Sequence, residues 1–80
     1  MSNWRAVHIG FEQDGLEIGG LKVWDLKWRR TGRDPLSLPH PAHPLQRHGF
    51  DIYEVGDEQQ PVCFAAGELS NGVWGFYVPI

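Results

Sequence analysis

Three of the four histidines in this chain, His40, His43 and His48, fall within nine residues of the stretch "SLPHPAHPLQRHGF". Imidazole is the commonest metal ligand and the side chain that changes charge nearest neutral pH. Metal coordination and proton transfer are therefore the chemistries this spacing raises. Pro39, Pro41 and Pro44 set the local backbone, because each fixes its own φ and pushes the preceding residue to extended angles. Polyproline II is the expected conformation, and at about 3.1 Å per residue it separates His40 from His43 by roughly 9 Å. Two imidazoles on one zinc must each bring a nitrogen within about 2.1 Å of the metal. The segment is thus expected to be a stiff connector between two halves of a sheet. Its prolines lower the entropy cost of ordering it and pack partly on the protein's own tryptophans. A metal-dependent activity at His40, His43 and His48 requires a bend that nothing in the sequence specifies. "PAHP" also carries the P-x-x-P core of a docking peptide. However, Arg47 lies three residues after Pro44, one beyond the usual basic position.

A second concentration of chemistry is "KVWDLKWRRTGR". Lys22, Lys27, Arg29, Arg30 and Arg33 oppose only Asp25, a local balance of +4, which leaves -7 for the rest of a chain whose total is -3. Such asymmetry marks a site for an acidic partner or nucleic acid. Trp24 and Trp28 add stacking surfaces, the second ingredient of single-strand binding. The competing reading makes both rings core and the charges a solvated face that guards a sheet edge.

General acid–base chemistry has scattered candidates in His8, His48, Asp51, Glu54 and Glu68. There is no nucleophile elbow and no phosphate-cradling glycine loop. Cys63 is expected to face the core, where a thiolate is disfavoured and the residue inert. Glu68 is placed to hydrogen-bond Tyr77 diagonally across a hairpin. Eighty residues leave little volume for a pocket of some 300 Å³ or more. No cofactor is expected, and an enzyme is not the favoured reading.

The elements that must position these residues read as strands. The chain is one small domain, 1–80, with a single cysteine and no zinc-finger spacing, so packed apolar side chains or association must supply its stability. Four tryptophans supply large burial per residue and argue against disorder. The start "MSNWRAVHIGF" lacks an apolar signal core, and no run reaches the roughly 18 apolar residues of a membrane span. With the lone cysteine, this sets the expectation of a cytoplasmic protein away from membranes. The charge of -3 is wrong for a protein that coats nucleic acid.

"WRAVHIGF" alternates, with Val7, Ile9 and Phe11 on one face and Ala6, His8 and Gly10 on the other. Asp14-Gly15 is a hairpin turn signal before "LEI". "GGLKVWDLKWRRTG" fits a strand better than a helix, although the i, i+3, i+7 spacing of Leu21, Trp24 and Trp28 permits either. "FDIYEV" is a strand and "GDEQQP" a loop. Asn71-Gly72 between alternating runs is the strongest hairpin signal. A two-residue turn there sets Leu69 against Trp74, Gly67 against Phe76, Ala65 against Val78 and Cys63 against Ile80.

The expected fold is all-β, a small antiparallel barrel or strongly bent sheet of about five or six short strands. A proline-rich connector is its one long connection, and a short helix within 21–30 is the α+β alternative. The expected function is a small non-catalytic binding or interaction module. Its tryptophan content suggests self-association as a homodimer, and another protein partner also fits. Nucleic-acid or anionic-partner binding through Lys22–Arg33 is the alternative.

Overall fold

The computed structural model describes residues 4–11, 16–18, 20–23 and 26–80. Their regular structure is antiparallel β, in eight strands. These are β1 (Trp4–Phe11), β2 (Glu17–Ile18), β3 (Leu21–Lys22), β4 (Arg29–Arg30), β5 (Leu36–His40), β6 (His43–Val55), β7 (Val62–Ser70) and β8 (Val73–Pro79). The main sheet runs β1-β8-β7-β6-β4, β5 pairs with β6 off that path, and β2-β3 form a separate two-stranded ribbon. The all-β, antiparallel expectation holds, and no closed barrel is found among the described residues. β1 and β4 end the path without pairing to each other among the described residues.

β6 organises this arrangement because its two halves have different partners. Gly49 and Phe50 pair with Ser37 and Leu36 of β5, whereas Asp51 to Val55 pair with Ala66 to Val62 of β7. Gly67 stands where β6 leaves β7. A Cβ at that position would lie 2.7 Å from the Gly49 carbonyl oxygen and 3.0 Å from the Phe50 ring. Glycine admits a close backbone approach that a side chain would block. The β5–β6 hairpin therefore lies against one face of the sheet. Pro41 at its tip comes within 3.2 Å of the position a Gly75 Cβ would take.

Both faces of the central strands are consequently buried. On one face Tyr53, Val55, Phe64, Ala66, Phe76 and Val78 pack with Leu16 and Val23. On the other, Leu38, Phe50, Ala65 and Tyr77 form a second cluster, flanked by Trp4, Leu36 and Leu69. Phe50, Phe64 and Phe76 are fully buried, worth roughly 1.5–3 kcal/mol each for removal from water.

The Asn71-Gly72 turn is where the sequence puts it, with Gly72 at φ 79° and Ser70 opposite Val73. The register beyond it differs by one residue. An irregularity between Glu68 and Ser70 makes Leu69 the extra residue, so Glu68 faces Trp74, Gly67 faces Gly75, Ala66 faces Phe76 and Ala65 faces Tyr77. The expected partners of Leu69, Gly67, Ala65 and Cys63 are thus all displaced. The physical rationale survives with new partners, since Ala66 against Phe76 and Ala65 against Tyr77 still set small against large. A bulge changes the register of every pair beyond it. Cys63 is half-buried, opposite Glu54, and belongs to neither core cluster.

A second bulge breaks the alternation of β1, where Ala6 pairs with Tyr77 but His8 already pairs with Phe76. Val7 packs on the first cluster while Ile9 is 45% exposed, so they do not share a buried face. Within 21–30 the described residues form neither one continuous strand nor an α-helix. Leu21–Lys22 and Arg29–Arg30 are strands, and the Leu26 N–H donates to the Val23 carbonyl. Asp14-Gly15 lies outside the described residues. Among the described residues no helix is long and apolar enough to cross a membrane.

Replacing Gly67 by Ala should destabilise the protein by about 1–3 kcal/mol, the cost of overpacking a tight contact. Gly49→Ala, with nothing within 4 Å of its Cβ position, should stay within about 0.5 kcal/mol of the parent. Urea denaturation midpoints of the two variants test the contrast.

Candidate functional site

The histidine-proline stretch is a hairpin and not a polyproline connector. His40 is the cross-strand partner of His43, which corrects the 9 Å separation expected from the sequence. Pro39 is compatible with β5 because β5 pairs only with β6, and an edge strand tolerates a residue with no N–H to donate. Between the pairs Pro39–Arg47 and His40–His43 the register jumps. Pro44, Leu45 and Gln46 are extra residues on β6, and Leu45 is fully exposed.

The bend that the sequence left unspecified brings the three imidazoles together. The His40 ring centroid lies 5.0 Å from that of His43 and 5.9 Å from that of His48. Two ring nitrogens are already engaged with the backbone. His40 Nδ1 accepts the Ala42 N–H at 3.1 Å. His48 Nε2 lies 3.0 Å from the Glu68 carbonyl oxygen, which only accepts, so this nitrogen carries the proton. Among the described residues no group of three or more His, Cys, Asp or Glu is disposed to hold a metal ion. Desolvation, then the neighbouring His43 and His48, hold the His40 pKa below the ordinary imidazole value.

The tip is fastened to the sheet by Tyr77, whose hydroxyl donates to the Pro39 carbonyl. Desolvation raises the Tyr77 pKa above the ordinary phenol value, partly offset by Arg47. This hydroxyl does not meet Glu68, as the sequence suggested. The Glu68 carboxylate instead accepts the Gly72 N–H at 3.1 Å within the turn.

The basic-aromatic segment is dispersed. Trp28 lies half-buried on the first core face, edge-on to Phe64 at 5.1 Å, Tyr53 at 5.3 Å, Phe76 at 5.7 Å and Trp74 at 5.8 Å. Its indole N–H donates to the Val23 carbonyl at 2.8 Å. Such edge-to-face packing uses the ring as part of the core. Arg29 pairs with Glu54 at 3.3 Å and donates to the Gly56 carbonyl at 3.0 Å. Arg30 reaches Asp51 at 3.6 Å and lies 5.6 Å from the Tyr53 ring centroid. Lys22, Lys27 and Arg33 are exposed. Trp24 lies outside the described residues.

Of the acid–base candidates, His48 and Glu68 meet through the Glu68 main-chain carbonyl and not its carboxylate. Asp51 and Glu54 serve the arginines of β4, and the His8 ring packs tilted on Phe76 at 6.0 Å. Sequence reasoning missed the pairing of Arg29 and Arg30 with β6, because it joins residues about 25 apart across a strand too short to read from its pattern. Comparison with protein families, with curated proteins and with solved structures finds no match.

Two outcomes follow from the tip geometry. Tyr77→Phe leaves the Pro39 carbonyl without its donor and should cost about 1–3 kcal/mol, measured by thermal or urea unfolding. The depressed His40 pKa means the unfolded chain takes up this proton before the folded one. Its stabilising contribution should be complete above the ordinary value near 6.5 and lost as pH falls through the lowered folded value. A urea midpoint series across that range, compared with His40→Asn, reads the effect.

Proposed function

We propose that the chain is a small non-catalytic interaction module that associates with a second copy of itself through the outer edge of β1. The supporting observation is the contrast between the edges of its sheet. An unpaired strand edge is a template for pairing with another chain, and proteins guard such edges with short strands, charge or proline. β4 is two residues long and both are arginine, and β5 carries Pro39. β1 has eight residues, one charge at Arg5 and no proline, and among the described residues only β8 pairs with it.

The bulge at Val7 twists the first part of this edge, so the pairing surface is the stretch beyond it. There Ile9 is 45% exposed, although the strand around it is apolar. An antiparallel copy related by a two-fold axis through Ile9 sets this side chain against its own copy and His8 against Gly10. No charge meets its like, and a closed, isologous pair results. Main-chain hydrogen bonds supply the affinity in strand addition of this kind. A cytoplasmic setting accords with the lone cysteine. Nucleic-acid binding has weaker support, since Trp28 and Arg29 are occupied within the fold.

Sedimentation velocity over a wide concentration range tests the proposal. The parent chain should form a dimer. Ile9→Lys, which opposes two ammonium groups across the axis, should weaken association at least about tenfold, since opposed like charges destabilise a strand pair. A parent chain that stays monomeric at the highest concentration refutes self-association. A dimer indifferent to Ile9→Lys places the contact elsewhere.

A further inference from the structure

We propose that the β5–β6 hairpin is a proton-sensitive latch on the sheet, closed by neutral His40 and opened when His40, His43 and His48 become charged. The key atom is His40 Nδ1. It accepts the Ala42 N–H and so closes the turn that holds Pro41 against Gly75. A neutral imidazole offers one acceptor nitrogen, whereas an imidazolium offers none. Protonation at Nδ1 therefore replaces a hydrogen bond with two opposed N–H groups.

Charging also sets like charges against one another. The His43 and His48 ring centroids lie 5.0 and 5.9 Å from that of His40, well inside the roughly 8–10 Å over which salt screens charges. No carboxylate is paired with any of them among the described ion pairs. The other groups facing the cluster do not offset this. From β6, Arg47 adds a further positive charge close enough to influence Tyr77. From β7, Glu68 offers its carbonyl to His48 while its carboxylate is turned to Gly72. From β8, Tyr77 offers a neutral hydroxyl to Pro39.

His48 has a different part. Its Nε2–H donates to the Glu68 carbonyl in either charge state, so this contact survives protonation and acts as the hinge. The moving part is the tip, from Pro39 to Arg47, and the face it uncovers is that of Tyr77 and Gly75. Such a device converts a pH change near the histidine range into exposure of an aromatic patch.

Two-dimensional NMR of the labelled full chain from about pH 8 to about pH 5, the range in which imidazoles titrate, tests this. Ring carbon shifts report the charge of each histidine, the Ala42 amide shift reports the bond to Nδ1, and the Pro41–Gly75 proton contact reports the closed tip. The contact and the Ala42 shift should be lost together as His40 takes up its proton, at a midpoint below about 6.5, the ordinary imidazole value. His40→Asn keeps an acceptor two residues before Ala42 that does not titrate, so its tip should stay closed at a pH that opens the parent. His43→Gln, at an exposed position, removes one repelling charge and should move the opening midpoint to lower pH. The latch is refuted if the Pro41–Gly75 contact persists with all three rings charged. It is equally refuted if either variant opens at the pH of the parent.

Discussion

The close approach of β6 to Gly67 governs this fold. With no side chain at Gly67, the Gly49 carbonyl and the Phe50 ring occupy the space a Cβ would fill. β6 can then leave β7 and fold back with β5 across the sheet. The chain thereby covers a second face without a second sheet or a helix. An 80-residue chain has few residues to spend on each layer, and one long strand serving two partners is an economical solution. Both aromatic clusters follow from it, since one face is sealed by Trp28 and the other by the hairpin itself.

The same constraint decides what the conspicuous residues can do. Trp28 is drawn over Phe64 and Phe76, so the ring that suggested base stacking is a packing element. Arg29 and Arg30 lie on a two-residue strand against Glu54 and Tyr53, so the basic cluster is divided between ion pairs and solvent. The histidines move the other way. Folding the hairpin back places three imidazoles side by side, two with a nitrogen committed to the backbone. That commitment makes the group responsive to protons and leaves no set of nitrogens disposed around a metal.

Local signals were read most faithfully where a residue's own conformational preference dominates. The Asn71-Gly72 turn, the strand over "FDIYEV" and the loop after it all appear as their residues predict. Errors came where a non-local contact outweighed the local rule. One extra residue at Leu69 displaced every hairpin partner beyond it. A similar bulge at Val7 ended the alternation of β1. Pro39 and Pro44 lie in extended strands while Pro41 sits in the turn between them, but extended backbone is shared by polyproline II and β-strand. Proline angles alone do not decide between them, whereas pairing with β6 does.

By itself, therefore, the sequence determined the class of structure: antiparallel strands, tight glycine turns, and an aromatic core that a single cysteine cannot staple with an internal disulfide. These follow from side-chain alternation and from backbone preferences that act within a few residues. The tertiary structure alone decided which face each aromatic serves, the register of the last hairpin, and the meeting of His40, His43 and His48. Those outcomes depend on where β6 changes partners, and that point is set by a contact between Gly67 and Gly49, which lie far apart along the chain. No period or pair of neighbouring residues encodes such a contact. It exists only when both strands are in place.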